Sequence, residues 1–167
     1  DMDQALRIAE IELSHAAGER IVGLFRYDGF ERGKRGPSLM LIADIDSTLY
    51  AYEQLLDTLN EAAEQTRRLL AAYEGDPMAR FEKLVQRLNE AVATFVEREP
   101  TAIAWNRVNL FLLEFHEGLL CVTGTGRLAN MFLQKQEDGG LKGCDLFGSL
   151  EQPTDIDPKK PFASFIC

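Results

Sequence analysis

The sequence predicts an α+β fold: an antiparallel β-sheet, built from N-terminal strands and a later β-meander, packed on two long antiparallel helices. Three observations carry this expectation. Apolar runs before residue 45 are joined by connections too short for parallel crossovers. Two segments between residues 49 and 96 keep a three-four apolar spacing. After residue 108, apolar runs are separated by the short Gly-containing turns HEG and GTG.

The elements follow in order. Ala5–Ser14 reads as a strand, with Ile11 and Leu13 alternating against Glu10 and Glu12, although a helix is also compatible. Arg20–Tyr27 reads as a strand, and Asp28–Pro37, rich in Gly and charge, as a hairpin or long loop. Leu39–Ala43 is a buried strand. The first helix presents Leu49, Tyr52, Leu55, Leu56, Leu59, Ala62, Ala63, Thr66, Leu69, Leu70 and Tyr73 on one face. Gly75 ends it; Asp76 is placed to cap the next helix, with Pro77 at its first position. That helix carries Phe81, Leu84, Val85, Leu88, Ala91, Val92, Phe95 and Val96, and Pro100 closes it. Val108–Phe115, Leu119–Thr123 and Leu128–Lys135 then form the expected three-stranded meander. Glu137–Gly140 is a turn, Cys144–Leu150 a further edge strand, and the tail with Pro153, Pro158 and Pro161 is extended and irregular.

The 167 residues suit one domain, 1–167, with a real core. The missing initiator Met and the apolar ending FASFIC suggest a piece of a larger domain or protein. A net charge of −9 argues against a general nucleic-acid surface, which needs clustered cations. Arg32, Lys34 and Arg35 form one short basic cluster, read as a solvated loop or a local anion or partner contact. No apolar run reaches bilayer length, so no membrane insertion by this segment is expected. The three cysteines, Cys121, Cys144 and Cys167, are odd in number and far apart. They match neither a zinc site nor a disulfide framework, and point to a reducing, cytoplasmic compartment. Oligomeric state is not legible.

The chemistry-bearing stretch is LMLIADIDSTL, Leu39–Leu49, where a buried strand ends on Asp44 and Asp46 with Ser47 and Thr48 just beyond. A structural role is open to these residues: Asp46, Ser47 or Thr48 can cap the helix that follows, with Glu53 at its positive end. DIDSTL also resembles the DxDxT motif of haloacid-dehalogenase-type phosphotransferases. That resemblance implies Asp44 as nucleophile, Asp46 as general acid/base, Thr123 as the phosphate-binding hydroxyl and Lys142 or Lys160 as the cation. It further implies Mg²⁺, a parallel sheet and helices at Val108–Phe115 and Leu128–Lys135. The later acidic pair of that family has no counterpart; Asp155 and Asp157 lie in a Pro-flanked loop.

The order of elements resembles the metal-dependent protein phosphatases of type 2C. On that resemblance the fold is a partial type 2C phosphatase-like sandwich. Asp44 takes the metal-ligand position, with Asp46 as a second candidate ligand for Mg²⁺ or Mn²⁺. Ile45 to Thr48 take the glycine-rich turn, and Ala51 the helical alanine. Gly126–Leu133 (GRLANMFL) resembles the family's GDSRAxL strand, and KKPFASFIC the approach to a next one. Ile45, Ser47 and Thr48 replace glycines, Arg127 replaces an acidic residue, and the first strand pair shows no clear Arg or acidic pair. The resemblance therefore implies a degenerate module with a regulatory or interaction role, whose partner is a protein or a phosphorylated substrate. An unrelated small interaction domain is the remaining possibility. His15 and His116 lack a second ligand or nucleophile at motif spacing, Trp105 reads as a core or interface anchor, and GTGRL as a tight hairpin.

Overall fold

The structure is a computed structural model that describes residues 20–27, 30–31, 34–99, 101–126, 132–144 and 156–167. Five strands form one sheet: β1 (Ile21–Tyr27), β4 (Ser38–Ile45), β5 (Val108–His116), β6 (Leu119–Thr125) and β9 (Phe165–Ile166), in the order β1-β4-β5-β6-β9. Every pairing within it is antiparallel. Two small ribbons, β2 (Phe30–Glu31) with β3 (Lys34–Arg35) and β7 (Phe132–Lys135) with β8 (Leu141–Cys144), pair separately. Helices α1 (Tyr50–Leu69) and α2 (Pro77–Arg98) lie between β4 and β5 in the chain.

The α+β expectation holds for the antiparallel sheet and the helix pair. The parallel sheet implied by DIDSTL is not found: β4 has antiparallel neighbours on both sides, and Val108–Phe115 is strand. One further expectation is corrected. The meander ends at β6, because β7 pairs with β8 and the seat beside β6 is taken by the returning C-terminal β9. The edge strand expected at Cys144–Leu150 falls, apart from Cys144 in β8, on 145–150, which lie outside the described residues. Ala5–Ser14, His15, Arg32, Arg127, 128–131 and Asp155 lie outside them too.

The strand alternation places the core. Leu39, Leu41, Ala43 and Ile45 of β4, with Val108, Leu110 and Leu112 of β5, face the helices and are essentially inaccessible. The helices return Tyr52, Leu55, Leu59 and Ala63 from α1 and Phe81, Leu84, Leu88 and Val92 from α2. Burying a Leu or Phe side chain stabilises a fold by about 1.5–3 kcal/mol, so this layer is the main source of stability. Gly23 of β1 lets α1 come close: a Cβ there would sit 2.7 Å from Leu56 Cδ2. The opposite parity builds a second, smaller cluster of Ile42, Phe111, Leu113, Leu120, Val122 and Ile166 on the far face of the sheet. At the β1 edge of that face, Val22 and Leu24 are exposed.

The connections follow the local chemistry. Asp76 caps α2 by accepting from the Met78 amide at 3.3 Å, with Pro77 opening the helix as expected. α1 differs: its cap is Leu49, whose side chain has no acceptor, and Ser47 Oγ accepts the Leu49 amide at 3.2 Å instead. Glu53 is in the first turn, as expected. Among the described residues no helix is long and apolar enough to cross a membrane.

Candidate functional site

Asp44 is the penultimate residue of β4, set opposite Val22 of β1 and Asn109 of β5. Alternation from the buried Ala43 and Ile45 turns its side chain to the sheet face away from the helices. There Arg20, immediately before β1, grips both carboxylate oxygens, Nε to Oδ1 at 3.1 Å and Nη2 to Oδ2 at 2.6 Å. This bidentate fork is the strong form of a charge-assisted contact, although half of the Arg20 side chain is exposed. The β1–β4 register that sets Val22 against Asp44 brings in the residue before the strand.

Around this pair the strand ends are tied together. Asn109 Nδ2 donates to the Asp44 carbonyl at 3.2 Å, and the Asp46 amide donates to the Arg107 carbonyl at 2.9 Å. Gly126, at φ +84°, closes the next strand against Asn109 and the Val108 carbonyl, so tightly that a Cβ would collide with both. Asp46 itself is exposed just past the strand, and Thr48 is exposed beside it. Ala51 is buried in the first turn of α1.

The other residues singled out in the sequence do not converge here. Thr123 lies on β6 opposite Leu112, on the helix-facing side, fully buried, with its hydroxyl donating to the Ser164 carbonyl at 2.5 Å. It is on the opposite face of the sheet from Asp44 and holds the C-terminal segment. Lys142 is exposed on β8, and Lys160 is exposed beside a cleft between α2 and the C-terminal segment. Asp157 accepts the Lys159 amide at 2.9 Å, a local turn contact. A nucleophile, phosphate-binding hydroxyl and lysine on one strand end are therefore not assembled.

Among the described residues no group of three His, Cys, Asp or Glu side chains could hold a metal ion. At the strand end the acidic donors are Asp44, committed to a guanidinium, and Asp46. Hard divalent cations take about six oxygen ligands. A carboxylate with both oxygens on an arginine, plus one exposed neighbour, does not fit a hydrolytic centre for Mg²⁺ or Mn²⁺.

Two polar features escaped the sequence reading. Arg80 of α2 and Glu114 of β5 meet in the core, and Cys121 of β6 is bonded to Cys167 just past β9. The second corrects the expectation of unpaired cysteines, because the return of β9 to β6 makes residues 46 apart in sequence neighbours. The first had a signal in the sequence: Glu114 continues the inward alternation of Val108, Leu110 and Leu112, and Arg80 stands four residues before Leu84 on the buried helix stripe. His116, the next inward position after Glu114, is held below its ordinary pKa by burial, with the charge of Arg80 adding to the effect and Glu117 opposing it. Trp105 is buried, as expected of an anchor.

Together these features define a class: an antiparallel sheet with a helix pair on one face and, on the other, an arginine-paired aspartate at a strand end. Comparison with family models, with curated proteins and with solved structures finds no match.

Proposed function

We propose that the chain is a type 2C phosphatase-like module, degenerate at its metal position and serving a regulatory or interaction role toward a protein partner. The observation that carries this reading is the Arg20–Asp44 fork. In metal-dependent hydrolysis the attacking group is a metal-activated hydroxide, and the metal needs the carboxylate that Arg20 here neutralises. The order of elements supports the ancestry: antiparallel strands, an acidic strand end, two long helices, and antiparallel strands again. The net charge of −9 supports a partner other than nucleic acid. A cytoplasmic setting belongs to the same proposal; there the disulfide would be of the transient, redox-sensitive kind.

The test is a p-nitrophenyl phosphate assay with Mn²⁺ or Mg²⁺, together with calorimetric titration of each ion. The expected result is no turnover above buffer, for the natural chain and for Asp44→Asn alike. Turnover that requires the metal and vanishes in Asp44→Asn would overturn the degenerate reading.

A further inference from the structure

The C-terminal segment returns across α2 and ends as the last strand of the sheet. Phe162 is buried in the main core at 1% exposure. The side chain of Asn89 on α2 holds both backbone groups of Phe162, accepting its amide at 3.1 Å and donating to its carbonyl at 3.0 Å. Beyond this anchor, the described residues 163–167 run on to β6. There β9 is two residues long, pairing Phe165 with Thr123 and Ile166 with Val122, and Cys167 then bonds to Cys121. The longer β5–β6 pairing on the other side of β6 is independent of it.

We propose that the Cys121–Cys167 disulfide is a reversible redox latch that closes the free edge of β6 with β9, and that a dithiol reductant opens it. The two ends of the bond differ in a way that suits this role. Cys167 is exposed and Cys121 is 2% exposed. A thiolate of the dithiol attacks the Cys167 sulfur, the S–S bond breaks, and Cys121 leaves as a thiolate that takes up a proton. The second sulfur of the reductant then attacks the mixed disulfide and releases Cys167, which also becomes a thiol. The dithiol is left as a disulfide, so two electrons and two protons have passed to the protein. A buried thiol at Cys121 is well accommodated, since free cysteine packs as a small apolar side chain.

What opens is limited by the anchor. With the bond broken, β9 is held by its two-residue pairing, the Thr123–Ser164 hydrogen bond, the edge contact of Phe165 on Phe81 and the packing of Ile166 in the far-face cluster, against the conformational entropy of five residues. The Asn89 clamp and Phe162 keep the start of the segment in place. The two sulfurs therefore stay at high effective concentration, and oxidation closes the same pair again. Opening uncovers the outer backbone edge of β6, a surface that another strand can pair with. The latch needs no phosphatase ancestry.

The experiment uses the whole chain and dithiothreitol as the dithiol, with hydrogen exchange read by mass spectrometry. Disulfide mapping of the oxidised protein should give Cys121–Cys167. Reduction should accelerate exchange in 163–167 by about tenfold or more while α2 and β5 keep their protection. Reoxidation should restore the slow exchange. Cys167→Ser, an exposed position, should show the open pattern without reductant and no response to it. Three outcomes overturn the latch: oxidised protein with all three thiols free or with Cys144 in the bond, exchange in 163–167 unchanged on reduction, or loss of protection throughout the sheet.

Discussion

Arg80 Nε stands 3.3 Å from Glu114 Oε1, with both side chains only 3% exposed, in the middle of an otherwise apolar interface between α2 and β5. The contact is one of charge, since its alignment leaves Nε without a formed hydrogen bond. Arg80 Nη1 also donates to the Leu70 carbonyl at the end of α1. One guanidinium thus links both helices to the sheet. Burial pushes the Glu114 carboxyl above its ordinary value, and the charge of Arg80 pulls it only partly back.

Removing the two partners should therefore have unequal effects. Arg80→Met strands a buried carboxylate and frees the Leu70 carbonyl, and should cost about 3–5 kcal/mol at pH 7 in urea denaturation. Glu114→Gln keeps an acceptor for Arg80 and should be milder. The sign with pH follows from linkage. An acid whose folded pKa is raised contributes stability below its unfolded value, near 4.5, and that contribution is lost as pH rises through the folded pKa. Glu114→Gln should thus gain stability relative to the natural chain between pH 4 and pH 7, and the Arg80→Met deficit should widen over the same range. A constant difference across those pH values would show that Glu114 does not titrate in the fold.

Asn89→Ala should cost about 3 kcal/mol, because it leaves the buried amide and carbonyl of Phe162 without their side-chain partner. Urea denaturation reads the cost, and exchange at the Phe162 amide locates it. Asn89→Asp should fall between, since a carboxylate keeps the contact with the amide and repels the carbonyl. Equal stability of all three proteins would mean that Phe162 holds its place by apolar packing alone.

At the strand end, Arg20→Ala should cost less than about 1 kcal/mol, the ordinary value of an exposed pair. Its more telling effect is chemical. Both Asp44 oxygens become open to a cation, so Mn²⁺ should broaden the Val22, Ile45 and Asp46 amide resonances at lower metal concentration than in the natural chain. The double variant Arg20→Ala/Asp44→Asn should lose this gain. Identical broadening in all three proteins would assign the metal contact to Asp46 and leave Arg20 no part in excluding cations.

The elements legible in the sequence are those whose periodicity is long enough to be unambiguous. β4 alternates between buried and half-buried positions over all eight residues, and α1 and α2 keep one apolar face for five turns or more. Asp76-Pro77 announced the start of α2 by local chemistry alone. What was not legible depends on register between distant segments. Arg20 meets Asp44 because Ile21 pairs with Ile45, and nothing near either residue encodes that pairing. β9 has two residues and no period, so neither its seat beside β6 nor its disulfide could be read locally. The cap of α1 failed for a related reason. Asp46, Ser47 and Thr48 all offer capping oxygens, but the chain runs on to Leu49 before the helix begins, with Ser47 turned inward and buried. The DIDSTL motif was legible as an acidic strand end, while the partners that decide its chemistry lie just before β1 and on β5.

Gly23 offers the sharpest test of how closely α1 must lie on the sheet. It sits on the helix-facing side of β1 opposite Ala43, so two small residues side by side make the floor under Leu56. A Cβ at position 23 would stand 2.7 Å from Leu56 Cδ2 and 3.1 Å from Phe25 Cε2. Leu56 is itself 6% exposed, with little room to turn away. Gly23→Ala should therefore destabilise by about 1–3 kcal/mol, the range for overpacking, despite the better strand propensity of alanine. Gly23→Ala combined with Leu56→Ala should be less destabilising than the sum of the two single changes, because each removes the obstacle to the other. Double-mutant analysis by urea denaturation measures that coupling. Strict additivity would mean that the helix rides over β1 without touching it at Gly23, and that the close approach of α1 to the edge strand is set by Tyr27 and its hydrogen bond to the Asn60 side chain instead.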